Sequence, residues 1–261
     1  MKNNQDSNTR NTDQPAYSQQ IVSIKPAVVV RILGVAAVLL VLISAVLQLF
    51  YQLGSRTGLE WLVNYFDVNR EANIPTFYAV ALLLFAAQLL LLIAMLETKR
   101  KAFHPWMWGV LAAGFLLLAV DELASFHEKL TYYVRVALNV KAMGILYLYG
   151  WVVPGIIVVL AAGFFFLRFW LRLPEKTRIY IAVAAVLYVG GAIGMEVASG
   201  SYLAAAGTED LTYNMISTVE ESLELAGVIL FIHTLMGYIA DMYGGVRVQM
   251  VEERKEISDP S

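Results

Sequence analysis

Six long apolar runs separated by short polar stretches set the pattern of this chain, at about residues 27–49, 76–96, 106–127, 146–169, 179–199 and 215–242. A helix crossing ~30 Å of hydrocarbon needs about 20 apolar residues, and each run meets or approaches that length. The pattern predicts an all-α, polytopic membrane protein built as a six-transmembrane-helix bundle. Residues 1–24 are rich in Asn, Gln, Ser, Asp and Thr, too polar to bury a core, and read as a disordered tail. The basic-then-apolar arrangement begins only at Lys25, and the run that follows is too long for the apolar region of a cleavable signal. Residues 25–245 are therefore expected to form the transmembrane domain, and residues 246–261 a polar cytoplasmic tail.

The connecting stretches give an orientation. Lys and Arg accumulate in cytoplasmic loops. With both termini inside, only Arg56, Arg70, Lys129, Arg135 and Lys141 fall outside, and the other fourteen of the nineteen basic residues lie inside. This predicts an N-in/C-in protein of the cell membrane. Trp and Tyr residues near both ends of the runs fit two interfacial belts. The longest outer connection, about residues 50–75, holds an aromatic-rich stretch at 59–66 that predicts a short interfacial helix, and residues 131–143 read the same way. Pro75 before Thr76 marks a helix start, since proline is well tolerated in a first turn.

Composition agrees with the pattern. Of 261 residues, 59% are hydrophobic and 15% charged, against roughly 25% charged in soluble domains. The net charge of −2 is uninformative because the charges sit in patches. Cysteine is absent, which removes disulfides, thiolate metal sites and cysteine nucleophiles. Any metal must then be held by oxygen or imidazole.

The candidate chemistry lies where charge enters the apolar runs. Residues 121–128 read Asp-Glu-Leu-Ala-Ser-Phe-His-Glu, at the end of the third run. A charged side chain at a helix centre in the bilayer costs roughly 2.5–3.5 kcal/mol, so such residues point to function. At 1.5 Å of rise per residue, Asp121 lies roughly 22 Å along its helix, and Glu220, Glu221 and Glu224 lie roughly 8–14 Å below the outer end of theirs. Glu196 ends the fifth run at a similar level, and Glu71 and Asn73 immediately precede the second. Four segments distant in sequence thus bring carboxylates to one depth, in the outer half of the bilayer.

Helical faces agree with depth. At 100° per residue, Asp121, Ser125 and Glu128 share an arc of about 60° with Glu122 at its margin, and Ser217, Glu220, Glu221 and Glu224 share one of about 100°. His127 points away from Asp121 unless the helix ends or bends just before it. Eight carboxylates face only Arg70 and Lys129 as nearby cations. Carboxylates crowded in a low-dielectric site take up protons or bind a cation. The expected site is therefore a divalent metal centre, with Mn, Fe, Zn, Mg or Ca all compatible with oxygen ligands and one imidazole. Asp121, Glu196, Glu221, Glu224 and His127 are the expected ligands. Glu122 or Glu220 is the expected general base on a metal-bound water, and Ser125, Glu128, Ser217, Glu71 and Asn73 are the expected supporting residues.

The remaining polar residues have simpler readings. His233 faces away from the Glu220–Glu224 stripe and suits packing, and His104 sits in a solvated inner loop. Gln48 and Gln88 are expected to make interhelical hydrogen bonds, and Gly190 with Gly194 to pack helix on helix. Pro154 and Gly155 predict a kink. There is no His-x-x-x-His pair, no pair of Glu-x-x-His motifs, no phosphate loop and no nucleophile elbow. The expectation is a hydrolase acting on a lipid or other amphiphile from the exterior. The alternatives are a cation or proton transporter using the acidic cluster, and a non-catalytic sensor or assembly component. The expected partners are membrane lipids and the amphiphile, with no nucleic acid. The transporter reading requires a polar route inward, where the sequence offers only Gln88, Thr234, His233 and Asp241.

Overall fold

The computed structural model describes residues 25–54, 58–139 and 149–244. Among them every regular element is helical. The helices are α1 (Pro26–Gln52), α2 (Glu60–Phe66), α3 (Ile74–Lys99), α4 (Trp106–Ala124), α5 (Phe126–Ala137), α6 (Val152–Trp170), α7 (Glu175–Val189), α8 (Glu196–Ala206) and α9 (Leu211–Tyr243). A π-helical segment, Gly190–Met195, joins α7 to α8 without a break. Six helices are long and apolar enough to cross a membrane, α7 and α8 counting as one 32-residue span. The two tails expected at 1–24 and 246–261, and the start of the fourth run at 146–148, lie outside the described residues.

The long helix α9 is the axis. Half of its most apolar stretch is buried, against 11% for α6, and it packs against α1, α3, α7 and the π segment. Its N-terminus is fixed by Asp210, whose Oδ1 accepts the Tyr213 N–H at 3.0 Å while Oδ2 accepts the Tyr202 hydroxyl at 2.7 Å. These bonds hold the Asp210 carboxyl below its ordinary range, the Tyr213 N–H first and the Tyr202 hydroxyl second. Two glycines set how closely α9 approaches its neighbours. A Cβ at Gly227 would lie 2.8 Å from the Tyr188 nitrogen, and one at Gly191 would lie 2.8 Å from the Glu220 carbonyl oxygen. The expected pair Gly190 and Gly194 does not do this work, having nothing within 4 Å. The i→i+5 bonding of a π segment adds a residue to the turn, and the glycine that meets α9 is one removed from the position that regular helical spacing suggests.

The third run breaks where its polar residues begin. Ser125 adopts the left-handed conformation (φ 49°, ψ 46°), ending α4 at Ala124 and starting α5 in a new direction. A non-glycine residue there costs roughly 1–2 kcal/mol. The bonds from His127 to Asp121 described below offset it. A short helix stands where one is expected at 59–66, as α2, and the segment expected at 131–143 is helical from Phe126 to Ala137, as α5, with 140–143 outside the described residues. Pro75 sits in the first turn of α3, capped by Asn73, whose Oδ1 accepts the Thr76 N–H at 3.1 Å. Pro154 likewise lies in the first turn of α6, so it marks a start and not a kink.

Candidate functional site

A cavity of about 830 Å³ opens at the end of the bundle where α3 and α9 begin and α4 ends. It is lined by Glu71, Asp121, Glu122, His127, Glu128, Glu196, Ser217, Glu220, Glu221 and Glu224. Of the residues expected at the site, only Ser125 and Asn73 stand outside this lining. Ser125 turns the chain beside Glu71. Asn73 is a buried cap whose Nδ2 donates to the Asp67 carbonyl at 2.6 Å.

His127 meets Asp121 because the helix ends before it. The Asp121 carboxylate accepts from the His127 backbone N–H at 3.0 Å and from Nδ1–H at 2.8 Å, using both oxygens. Burial works against the imidazolium, but the Asp121 hydrogen bond and charge, with Glu196 and Glu128 nearby, outweigh it and hold His127 up at about 9. It is therefore cationic at neutral pH, with Asp121 as its partner. Both are committed to each other, which removes them as free ligands in this arrangement. Glu71 is raised above its ordinary value by burial first and by the Glu128 charge second.

Trp151 joins two walls. Its Nε1–H donates to Glu196 Oε1 at 3.1 Å, and its ring meets that of His127 edge-on at 4.9 Å. Gly155 makes room for the indole, since a Cβ there would lie 2.8 Å from Trp151 Cζ3. The carboxyls of Glu196 and Glu220 stand within hydrogen-bonding reach of each other. Tyr149 and Tyr213 bond through their hydroxyls at 2.7 Å, and Ser217 bonds to Tyr213. Tyr188, deep in the bundle, presents its side chain to the same space.

Glu122, Glu221 and Glu224 differ from these. They line the cavity, and among the described residues none has a hydrogen-bond or ion-pair partner. The two cations expected nearby are spent elsewhere. Arg70 bonds to Asp67 at 3.2 Å and Asn64 at 2.6 Å, while Lys129 donates to the Ala124 carbonyl at 2.6 Å. Asp67 itself is buried, accepting from Gln48 Nε2, and Val68 N–H donates to Ser44 at 3.0 Å. Gln48 thus ties α1 to the α2–α3 connection and makes a further, long contact with Asn214 on α9 (3.4 Å). Gln88, expected to act alike, is exposed and has no hydrogen-bond partner among the described residues. Among the described residues, no group of three or more His, Asp or Glu is arranged to hold a metal ion.

A buried carboxylate lies at the opposite end as well. Glu97, 4% exposed, accepts the Tyr238 hydroxyl at 2.8 Å and the Tyr243 hydroxyl at 2.6 Å, with Arg100 at 3.8 Å. Sequence reasoning missed it, because a Glu beside Lys99, Arg100 and Lys101 looks like part of a solvated loop. His233, expected to pack, does lie in the α9 interior, its Nδ1 without a partner and its ring 6.2 Å from that of Tyr180.

The fold and cavity together define a class: a helical bundle with six apolar helices of membrane-spanning length, fitting a multi-pass membrane protein, with an acidic cavity to which all six contribute. Residues 32–238 match the family described as Domain of unknown function (DUF8692), and the chain belongs to that family. The match contains the whole lining of the cavity. No curated protein and no solved structure matches the chain.

Proposed function

We propose that the cavity binds the positively charged head of an amphiphile in the outer half of the membrane, and that the protein is a hydrolase acting on that head. The observation that carries this reading is the set of deep carboxylates, Glu122, Glu221 and Glu224, that face open space with no partner among the described residues. Buried charge left unpaired is costly, so the space is suited to a ligand that brings the opposite charge. A divalent metal would need several ligands converging at about 2–2.6 Å. An ammonium group donates its N–H groups to separate carboxylates, which suits this wall better. Glu122 or Glu220 is the base that would activate a water against the bound head.

A cation path through the bundle is supported less well. Beyond the cavity, Leu90, Ile93, Ile232 and Leu235 are fully buried, and the next carboxylate, Glu97, is held by two tyrosines. The cavity is one-sided.

Calorimetric titration of the purified protein with butylamine at pH 7 tests the reading. Binding is expected in the wild type and should weaken by roughly 30-fold or more in Glu221→Gln/Glu224→Gln, as when one side of a buried charge contact is removed. Equal binding in both proteins would overturn the assignment. So would a stoichiometric metal, found by elemental analysis, that the double variant loses.

A further inference from the structure

We infer that the amphiphile has a single hydrocarbon tail, that this tail lies in an apolar groove beneath α6, and that Tyr188 stands where tail meets head. The inference rests on the reading of the acidic cavity as the site of a cationic head.

The groove, of about 490 Å³, is bounded by α4, α6, α7 and α9 and lined by apolar and aromatic side chains. It adjoins the acidic cavity, with Leu118, Val159, Tyr188 and Val189 lining both. At roughly 30 Å³ per heavy atom, the share a water takes in liquid, it holds a chain of about 16 atoms. That is the scale of one hydrocarbon tail.

The groove exists because α6 stands off from the bundle at its middle. At one end Gly155 lies against Ile193 of the π segment, and at the other Phe165 and Phe169 meet Trp106 and Trp108 at 6.1 and 5.0 Å between ring centres. Between these ends α6 carries Ala162 and Gly163 over the groove, and a Cβ on Gly163 would meet nothing within 4 Å. Small residues here leave space that larger ones would fill. Across the groove, the contact of Tyr188 with Gly227 fixes the α7 wall, since Gly227 leaves no room for α7 to approach further.

This arrangement distinguishes the groove from ordinary lipid-facing surface. A tail moving from lipid to an apolar groove gains little by transfer, because lipid tails are as apolar as the groove wall. What the groove supplies is position: a head anchored at Glu221 and Glu224 with its tail past Tyr188 has one orientation in the cavity. That orientation presents the same bond of the head to Glu122 or Glu220 each time.

The test uses dodecylamine carrying a diazirine at the end of its chain, irradiated with the full-length protein in phosphatidylcholine nanodiscs, with adducts mapped by peptide mass spectrometry. Adducts are expected on groove residues such as Phe166 and Phe231, and most are expected to be lost in Gly163→Leu and in Ala162→Phe. Butylamine binding should be unchanged in both variants, since it has no tail to exclude. Adducts confined to outward residues such as Leu160 and Phe164, or groove adducts that survive both substitutions, would overturn the tail assignment while leaving the head site intact. Butylamine that ignores Glu221→Gln/Glu224→Gln would instead remove the head site on which the inference rests.

Discussion

Both ends of the bundle hold carboxylates inside it, and Glu97 at one end contrasts with Glu221 and Glu224 at the other. Glu97 receives two tyrosine hydroxyls and has an arginine beside it, so its lone pairs are satisfied within the protein. Glu221 and Glu224 line a cavity with no such partners among the described residues. Burial alone does not mark a site. What separates them is whether the protein itself completes the charge, and only the acidic end leaves that to something else.

The largest expected effect comes from breaking this contrast directly. Glu97→Ala leaves the buried Tyr238 hydroxyl without its acceptor and should cost roughly 2–4 kcal/mol, by the penalty for unsatisfied buried groups. Butylamine binding should not change. Glu221→Gln/Glu224→Gln should do the reverse, abolishing most binding while thermal unfolding in detergent stays equal or shifts upward, because it relieves crowded like charges. If the double variant unfolds as readily as Glu97→Ala, the acidic end is structural and the contrast fails.

The contrast was half legible from sequence. Apolar run length located six helices, and depth counted along them brought eight carboxylates to one level, because 1.5 Å of rise per residue is fixed by backbone geometry alone. Facing was less legible. His127 points away from Asp121 on a continuous helix, and the turn at Ser125 that reverses this depends on Asp121 capturing the His127 N–H. The glycines shifted from Gly190 and Gly194 to Gly191 and Gly227, since the extra residue of a π turn leaves no mark in composition. Glu97 was hidden by its basic neighbours, and Tyr188 by the aromatic background of an apolar run. The partners that satisfy or fail to satisfy a buried charge come from other helices, and no single-helix pattern carries them.

A second effect concerns pH. His127 is held up at about 9 against an ordinary 6.5, facing Asp121 first and then Glu196 and Glu128, with Glu71 close by. A raised folded value means stability that is complete below about 6.5 and lost as pH rises through 9. At 1.36 kcal/mol per unit, discounted for partial exposure, this amounts to roughly 2–3 kcal/mol. Glu71 has the same sign in a lower window, its contribution lost as pH rises above its ordinary carboxylate value. The thermal midpoint should therefore fall between pH 6.5 and 9.5, and Asp121→Asn should flatten that segment of the curve, since it removes the partner that raises His127. An unaltered slope in Asp121→Asn would assign the pH response to other carboxylates and leave the pair without an energetic role. Glu97→Ala, at the far end, should keep the full slope.

The smallest effect is expected at Trp151, and it measures how tightly the acidic end is held. Trp151→Phe removes the bond to Glu196 but keeps a smaller aromatic ring beside His127. Glu196 faces the cavity, so water can replace the lost donor, and the cost should be about 1 kcal/mol, the ordinary net worth of one hydrogen bond. Glu97→Ala has less relief, because Tyr238 is 5% exposed. Measured side by side by thermal unfolding, the two substitutions compare a carboxylate that solvent can reach with one it cannot. A Trp151→Phe loss as large as that of Glu97→Ala would mean that the cavity wall is locked by its own bonds. Glu196 would then belong with Glu97 as a structural carboxylate, leaving Glu122, Glu221 and Glu224 to face the ligand.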